Sequence, residues 1–193
     1  MRTQAAAVAA PSRVPAGANS TADGIVVGTG PVAVDAYIDF MCPFCRQFEE
    51  TQGPALELMM EERLISMVYH PLGFLDRLST TRYSSRASSA SACASDAGKF
   101  AEYKDALFAD QPPEGGPGLS DNELIELGRI VGITDPAFAE GVRHHIYLDW
   151  TEYVTAMAVS RGVSGTPSTF VEGVPVPASA RAIAAAVAAA SGR

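Results

Sequence analysis

The chain has 193 residues, 47% of them apolar and 19% charged, with a formal net charge of -8, the balance of a folded domain with a sizeable core rather than of a disordered or fibrous chain. An acidic chain without clustered Lys and Arg excludes a nucleic-acid partner and disfavours docking on an anionic membrane, and no run approaches the roughly 18 apolar residues that would cross one. The three cysteines are too few for a disulfide-stapled module, and their odd number leaves one unpaired.

Residues 1–23, with an Ala run at 5–7 and with Pro11, Pro15 and Gly17, lack the apolar region of a secretory signal and predict a flexible N-terminal tail. A tether to a membrane anchor lying outside this chain is the sharper reading of the same segment. Gly24–Gly28 (GIVVG) reads as a short strand closed by the turn-like Gly28-Thr29-Gly30-Pro31. The GTG fragment lacks the third glycine and the following helix that a phosphate loop requires.

Val32–Phe40 (VAVDAYIDF) is a nearly continuous apolar and aromatic run, the pattern of a central strand covered on both faces. Met41-Cys42-Pro43-Phe44-Cys45 follows, and then apolar residues at Phe48, Leu56, Met59 and Met60 continue a helical period to Arg63, with Pro43 in the first turn and a kink expected at Gly53-Pro54. Leu64–His70 is the next strand, ended by Pro71. Helices follow: one through Tyr83, Ala87, Ala90 and Ala94, one through Phe100, Tyr103, Leu107 and Phe108, and, after the irregular QPPEGGPG loop, one opened by a Ser120/Glu123 capping box. Asp135-Pro136 opens a fourth that continues, with room for a break, past Trp150 and Val154 towards Arg161. Ser168–Glu172 and Val174–Val176 form a hairpin around Gly173, and a last helix starts near Ser179. This order, strands and a helix, a helical block, then a hairpin and a helix, predicts an α/β sheet interrupted by a helical insert.

The chemistry lies at Cys42 and Cys45. A thiol attacks a disulfide only as thiolate, and an ordinary cysteine, with a pKa of about 8.5, is only slightly ionised at neutral pH. Where a central strand gives way to a helix, the first sulfur meets unpaired N–H groups and the positive end of the helix dipole, so the Cys42 pKa should be depressed. Cys45, one turn later, should be more shielded: Cys42 attacks and Cys45 resolves. A zinc site would need further ligands, and only Cys93 and three scattered His residues are on offer. Cys93, amid Ala and Ser, reads as a small buried residue, and the histidines as structural or exposed.

DFMCPFC ahead of a helix, with GVSGTPSTF about 120 residues on, resembles the DsbA-like thioredoxin family over roughly residues 24–190, and Ala92–Phe108 resembles that family's helical insert. The resemblance implies an α/β thioredoxin fold with an inserted all-helical subdomain: the tail at 1–23, the first part of the thioredoxin fold at 24–78, the helical insertion at 79–147 and the second part at 148–193. It implies a thiol-disulfide oxidoreductase that forms disulfides in reduced or misoxidised substrate proteins, in the periplasm or cell envelope, as a monomer and without metal or organic cofactor. A membrane quinone-linked thiol oxidase would recycle it. Pro43 and Phe44 would tune the redox pair, and Thr166-Pro167 matches the family's substrate-docking loop, whose proline is cis and faces the cysteines.

Two departures stand out. Many members carry a buried acid six positions before the first cysteine, and here that position is Ala36; Asp35 should face the other way because side chains alternate along a strand, and water or Asp39 is left as the substitute. Strongly oxidising relatives often have His where this chain has Phe44, which implies a milder oxidant. The alternatives are a reductase or isomerase, whose usual separate dimerisation domain the short N-terminal tail does not offer, and a copper(I)-binding thioredoxin-like protein, whose usual His or Met is missing from GVSGTPSTF.

Overall fold

A computed structural model describes residues 9–192. Strands β1 (Ile25–Val27), β2 (Val32–Ile38), β3 (Ile65–Pro71), β4 (Ser168–Val171) and β5 (Val174–Val176) form one sheet in the order β1-β3-β2-β4-β5. β2 lies at its centre, parallel to β3 and antiparallel to β4, with β1 and β5 as antiparallel edges. Helix α1 (Pro43–Glu61) is the crossover between the two parallel strands, and α7 (Ala180–Ser191) packs beside it and over β2 and β4. Between β3 and β4 run α2 (Tyr83–Asp96), α3 (Phe100–Ala109), α4 (Asp121–Ile130), α5 (Pro136–Arg143) and α6 (Leu148–Ser160), of which α6 packs on β3 and on α2.

Local chemistry accounts for the element boundaries. Ser120 and Glu123 make the reciprocal capping box of α4, Asp135 accepts from the Ala137 N–H with Pro136 at the first helical position of α5, and Ser179 accepts from the Ala182 N–H to start α7. At Gly30 the chain passes so close to β3 that an added Cβ would lie 2.2 Å from the Ile65 nitrogen, so this glycine serves a backbone crossing. One buried ion pair joins the helical block to the crossover helix: the Lys104 ammonium on α3 lies 2.5 Å from Glu49 on α1 and 2.6 Å from Asp105, and 5.0 Å from the centre of the buried Tyr69 ring.

Two expectations change. The tail is not free where it is described. The Ser12 N–H donates to Asp149 at 2.7 Å and the Ala16 N–H to Asp96 at 2.8 Å, while the Trp150 indole donates to the Ala22 carbonyl at 2.7 Å. Asp23 is fully buried, receives Asn19 and Thr21 hydrogen bonds at 2.9 and 2.6 Å and pairs with Arg161. Its turn residues fold on their own side chains and lay the segment along α2 and α6; residues 1–8 lie outside the described part. The break allowed for in the fourth helix is present: the chain turns between α5 and α6 with His145 at a φ of 48°, its ring held by Asp121 at 2.9 Å. The central strand ends at Ile38, two residues early, because Asp39 turns its carboxylate back onto the Met41 N–H at 2.9 Å. Helix α1 runs from Pro43 to Glu61 through Pro54 without interruption.

Candidate active site at the start of the crossover helix

Cys42 is the N-cap of α1, with extended backbone (φ -77°, ψ 116°), no side-chain cap and Pro43 behind it. The free N–H groups of the first turn therefore face its sulfur rather than a hydroxyl or carboxylate. Cys45 sits one turn on, fully buried, and both thiols are free. The Cys42 thiol donates to the Thr166 carbonyl at 3.4 Å, across a cis Thr166–Pro167 peptide, and the Asp39 N–H donates to the Cys45 sulfur at 3.5 Å. The two sulfurs and the Thr166 loop, far apart in the chain, thus meet at one end of the sheet.

The two thiols hold their protons very differently. The hydrogen bond from the Cys45 thiol lowers Cys42 from its ordinary 9.0 to about 6, against partial burial, and the Thr166 side chain and the N–H groups of Cys45 and Phe44 add to the effect. Burial, together with the neighbouring Cys42 sulfur, pushes Cys45 far above its ordinary value. The arrangement is one ionised sulfur hydrogen-bonded by a partner that keeps its proton, and such a sulfur is a nucleophile at neutral pH. Cys42 is only 5% exposed, yet it opens into a groove of about 580 Å³ whose walls include Phe44, Phe74, Leu75, Val159, Val163 and Thr166. Phe44 itself is 67% exposed, an apolar ring beside the reactive sulfur.

Two residues of this site carried little or no signal in the sequence. Asp39 is buried, and burial raises its carboxyl from 3.8 to about 6 in spite of hydrogen bonds from the Met41 N–H, the Ser84 hydroxyl and the Leu75 N–H, with the Cys42 charge adding to the rise. Those bonds, at 2.9, 2.7 and 2.9 Å, tie the cysteine loop to α2 and to the groove wall. Its place at the head of DFMCPFC, three residues before Cys42, was the one signal for it. Gln111, from the Pro- and Gly-rich loop, donates to the Phe40 and Cys42 carbonyls at 2.9 and 3.0 Å; nothing in QPPEGGPG marked it.

The remaining candidates sit elsewhere. Ala36 is fully buried on the opposite side of β2 from Asp35, which pairs with His70 at 2.9 Å. Burial pushes the Cys93 thiol up to about 12, and it packs against α5 at Gly141. Among the described residues no three His, Cys, Asp or Glu side chains are grouped closely enough to hold a metal ion, and no helix is long and apolar enough to cross a membrane.

A thioredoxin family model matches residues 20–188. Among solved structures, reduced DsbA from Mycobacterium tuberculosis superposes with a TM-score of 0.77 at 28% identity, covering 89% of this chain and 93% of that one. The reduced disulfide bond oxidoreductase DsbG of the same organism gives 0.77 at 29% identity, over 89% of this chain and 88% of its own. BdbD from Bacillus subtilis shares the fold, with a TM-score of 0.76 at 18% identity over 91% of this chain and 96% of that one. A curated relative, the serine/threonine-protein kinase PknE of M. tuberculosis, is 31% identical over 126 residues, which are 61% of this chain. The chain spans about a fifth (22%) of the length of the curated relatives it matches.

Proposed function

The chain belongs to the thioredoxin family, and on that premise we propose that it oxidises pairs of thiols to disulfides in substrate proteins outside the cytoplasm, through the Cys42–Cys45 pair. The observation that carries the proposal is the opposite proton affinity of two adjacent free thiols, one lowered to about 6 and opening into a groove, the other raised and enclosed. The DsbA-like neighbours support the reaction class.

In the working cycle the oxidised protein carries a Cys42–Cys45 disulfide. A substrate thiolate attacks the Cys42 sulfur; the S–S bond breaks, the electron pair leaves on Cys45, and Cys45 takes up a proton, as its raised proton affinity favours. The second substrate thiolate then attacks the substrate sulfur of the mixed disulfide. Cys42 departs as thiolate, a good leaving group because its pKa is low. Two substrate thiols have been oxidised to a disulfide, and the two electrons reside on the reduced pair. The Thr166–Pro167 loop opposite Cys42 is the shelf on which an extended substrate segment lies, and Pro43 and Phe44 tune the pair from within the motif.

The compartment follows from chemistry: a dithiol oxidant is useful where disulfides persist. The electrons must then leave to an acceptor, for which a membrane quinone-linked thiol oxidase is the partner that the DsbA-like resemblance implies; no resident metal or organic group takes part in the cycle. The test is oxidative refolding of a reduced, disulfide-requiring enzyme by the oxidised protein, beside a Cys42→Ser control. Activity recovered with the wild type and lost in the control supports the proposal. Equal recovery in both removes it, and activity only in reducing scrambled disulfides reverses the direction.

A further inference from the structure

Resting on that reading, we propose that Arg77 and Glu114 set the substrate preference of the groove, which takes an extended cysteine-bearing segment with an acidic and a basic side chain on the flank over the Arg77–Glu114 rim. The floor and walls of the groove beside Cys42 are largely apolar, and the charged residues that line it are Arg77 and Glu114. Both are exposed. Among the described residues neither takes part in an ion pair or a side-chain hydrogen bond, with each other or with anything else. Asp76, the acid next to Arg77, is already occupied: its carboxylate accepts from the Ser85 N–H at 2.9 Å, the Ser85 hydroxyl at 2.5 Å and the Arg82 guanidinium at 3.2 Å. The Arg77 guanidinium therefore finds no partner in its acidic neighbour and stands exposed on the groove rim.

The rim that carries the two charges is held in place by backbone. The Gly115 N–H donates to the Leu78 carbonyl at 2.7 Å and the Thr80 N–H to the Gly116 carbonyl at 3.1 Å, so the segments bearing Arg77 and Glu114 are stitched side by side. Gln111, three residues before Glu114, fastens the same loop to the Cys42 carbonyl at 3.0 Å. A peptide whose cysteine reaches Cys42 thus meets a cation and an anion carried on neighbouring, backbone-anchored segments, while the apolar walls accept its neighbouring side chains. The chain carries a net charge of -8, so Arg77 also offers an acidic client a local attraction against the general field of the protein.

Exposed pairs of this kind contribute about 1.4- to 5-fold each in affinity. The experiment uses peptides identical except on the flank facing the rim, bearing Asp with Lys, two Asp, two Lys or two Ala, against the wild type, Arg77→Glu, Glu114→Arg and the double charge swap. Two quantities are read: the rate of thiol-disulfide exchange with the oxidised protein, and the affinity of the same peptides with Ser in place of Cys. The wild type should prefer the mixed Asp/Lys peptide, Arg77→Glu should turn the preference to two Lys, and Glu114→Arg to two Asp, each by about 1.4- to 5-fold at low salt and with the preference erased at high salt. The double swap should favour the mixed peptide with its two charges exchanged in order, Lys with Asp, which is added to the panel for this variant. Charge-independent binding in the wild type, or the same order in every variant, overturns the rim assignment while exchange still supports the disulfide chemistry. No exchange with any peptide, but charge-ordered binding of the Ser peptides, overturns the chemistry and leaves the rim.

Discussion

Replacing Cys42 by Ser in the reduced protein should remove a pH-dependent contribution to stability of definite sign and window. The folded-state value of Cys42 is lowered from 9.0 to about 6, so the folded protein gives up this proton before the unfolded chain does. The resulting stabilisation is fully present above pH 9 and is lost as the pH falls through 6. Linkage sets a slope of roughly 1.4 kcal/mol per pH unit between those limits, about 4 kcal/mol across the window. Asp39 works in the opposite sense. Its carboxyl is raised from 3.8 to about 6, so its contribution is present below pH 3.8 and is lost as the pH rises through 6, about 3 kcal/mol over that range. The two limbs meet near pH 6, where the reduced site contributes least. Urea unfolding of the reduced wild type, Cys42→Ser and Asp39→Asn between pH 4 and 9 reads both limbs as differences from the wild type. The advantage of wild type over Cys42→Ser should grow from pH 6 to 9, and its advantage over Asp39→Asn should shrink from pH 4 to 6. Alkylation of the reduced wild type should show a nucleophile with a midpoint near 6. A difference curve against Cys42→Ser that stays flat between pH 6 and 9, with an alkylation midpoint at the ordinary thiol value, refutes the electrostatic account of the site.

Lys104→Met should destabilise the protein by about 3–5 kcal/mol, because it leaves the buried Glu49 carboxylate without its cation; adding Glu49→Leu should restore most of that loss, both read by urea unfolding. Phe44→His, at an exposed position beside Cys42, should lower the alkylation midpoint of Cys42 further and make the pair more oxidising, by about 30 mV for each tenfold change in its equilibrium with glutathione. An unchanged potential would show that the residue between the cysteines does not set the potential of this pair. Gln111→Ala removes two hydrogen bonds to the cysteine loop and should lower the unfolding free energy by about 1–2 kcal/mol, while a change within error would mean that the loop stands without it.

The parts of this protein that were legible beforehand are those whose signal is local. β2 is a central strand because its residues are apolar almost without a break, and the structure puts a partner strand on each side. The start of α4 is written in Ser120 and Glu123, and that of α5 in Asp135 and Pro136. Cys42 and Cys45 declare themselves by spacing and by the strand before them. What failed was local in a misleading way. Pro, Gly and Ala in the first residues look like linker composition, but Asn19, Thr21 and Asp23 close a turn on one another, and the partners that hold it, Trp150, Tyr153 and Arg161, lie more than 125 residues away. The break in the helix after Asp135 could be allowed for but not placed, since the residue at the turn, His145, is held by Asp121 on another helix.

Asp39 shows most clearly why the site was only half readable. Strand alternation correctly turned Asp35 away from the cysteines and towards His70, and the same rule correctly left Ala36 as an apolar position on the other side. Alternation has no authority over Asp39, because the strand has ended by then and the side chain is oriented by donors from three separate places: Met41 beside it, Leu75 beyond β3 and Ser84 on α2. A carboxylate with three donors would ordinarily sit low; this one sits near 6 because burial outweighs those bonds and the Cys42 charge adds to it. One acid is thereby sensitive to the state of the reactive sulfur while its oxygens hold the Leu75 wall of the groove. Asp39 thus stands between the Cys42 charge, which adds to its rise, and the Leu75 wall that its oxygen holds, a juxtaposition that pairwise spacing in the sequence has no means of expressing.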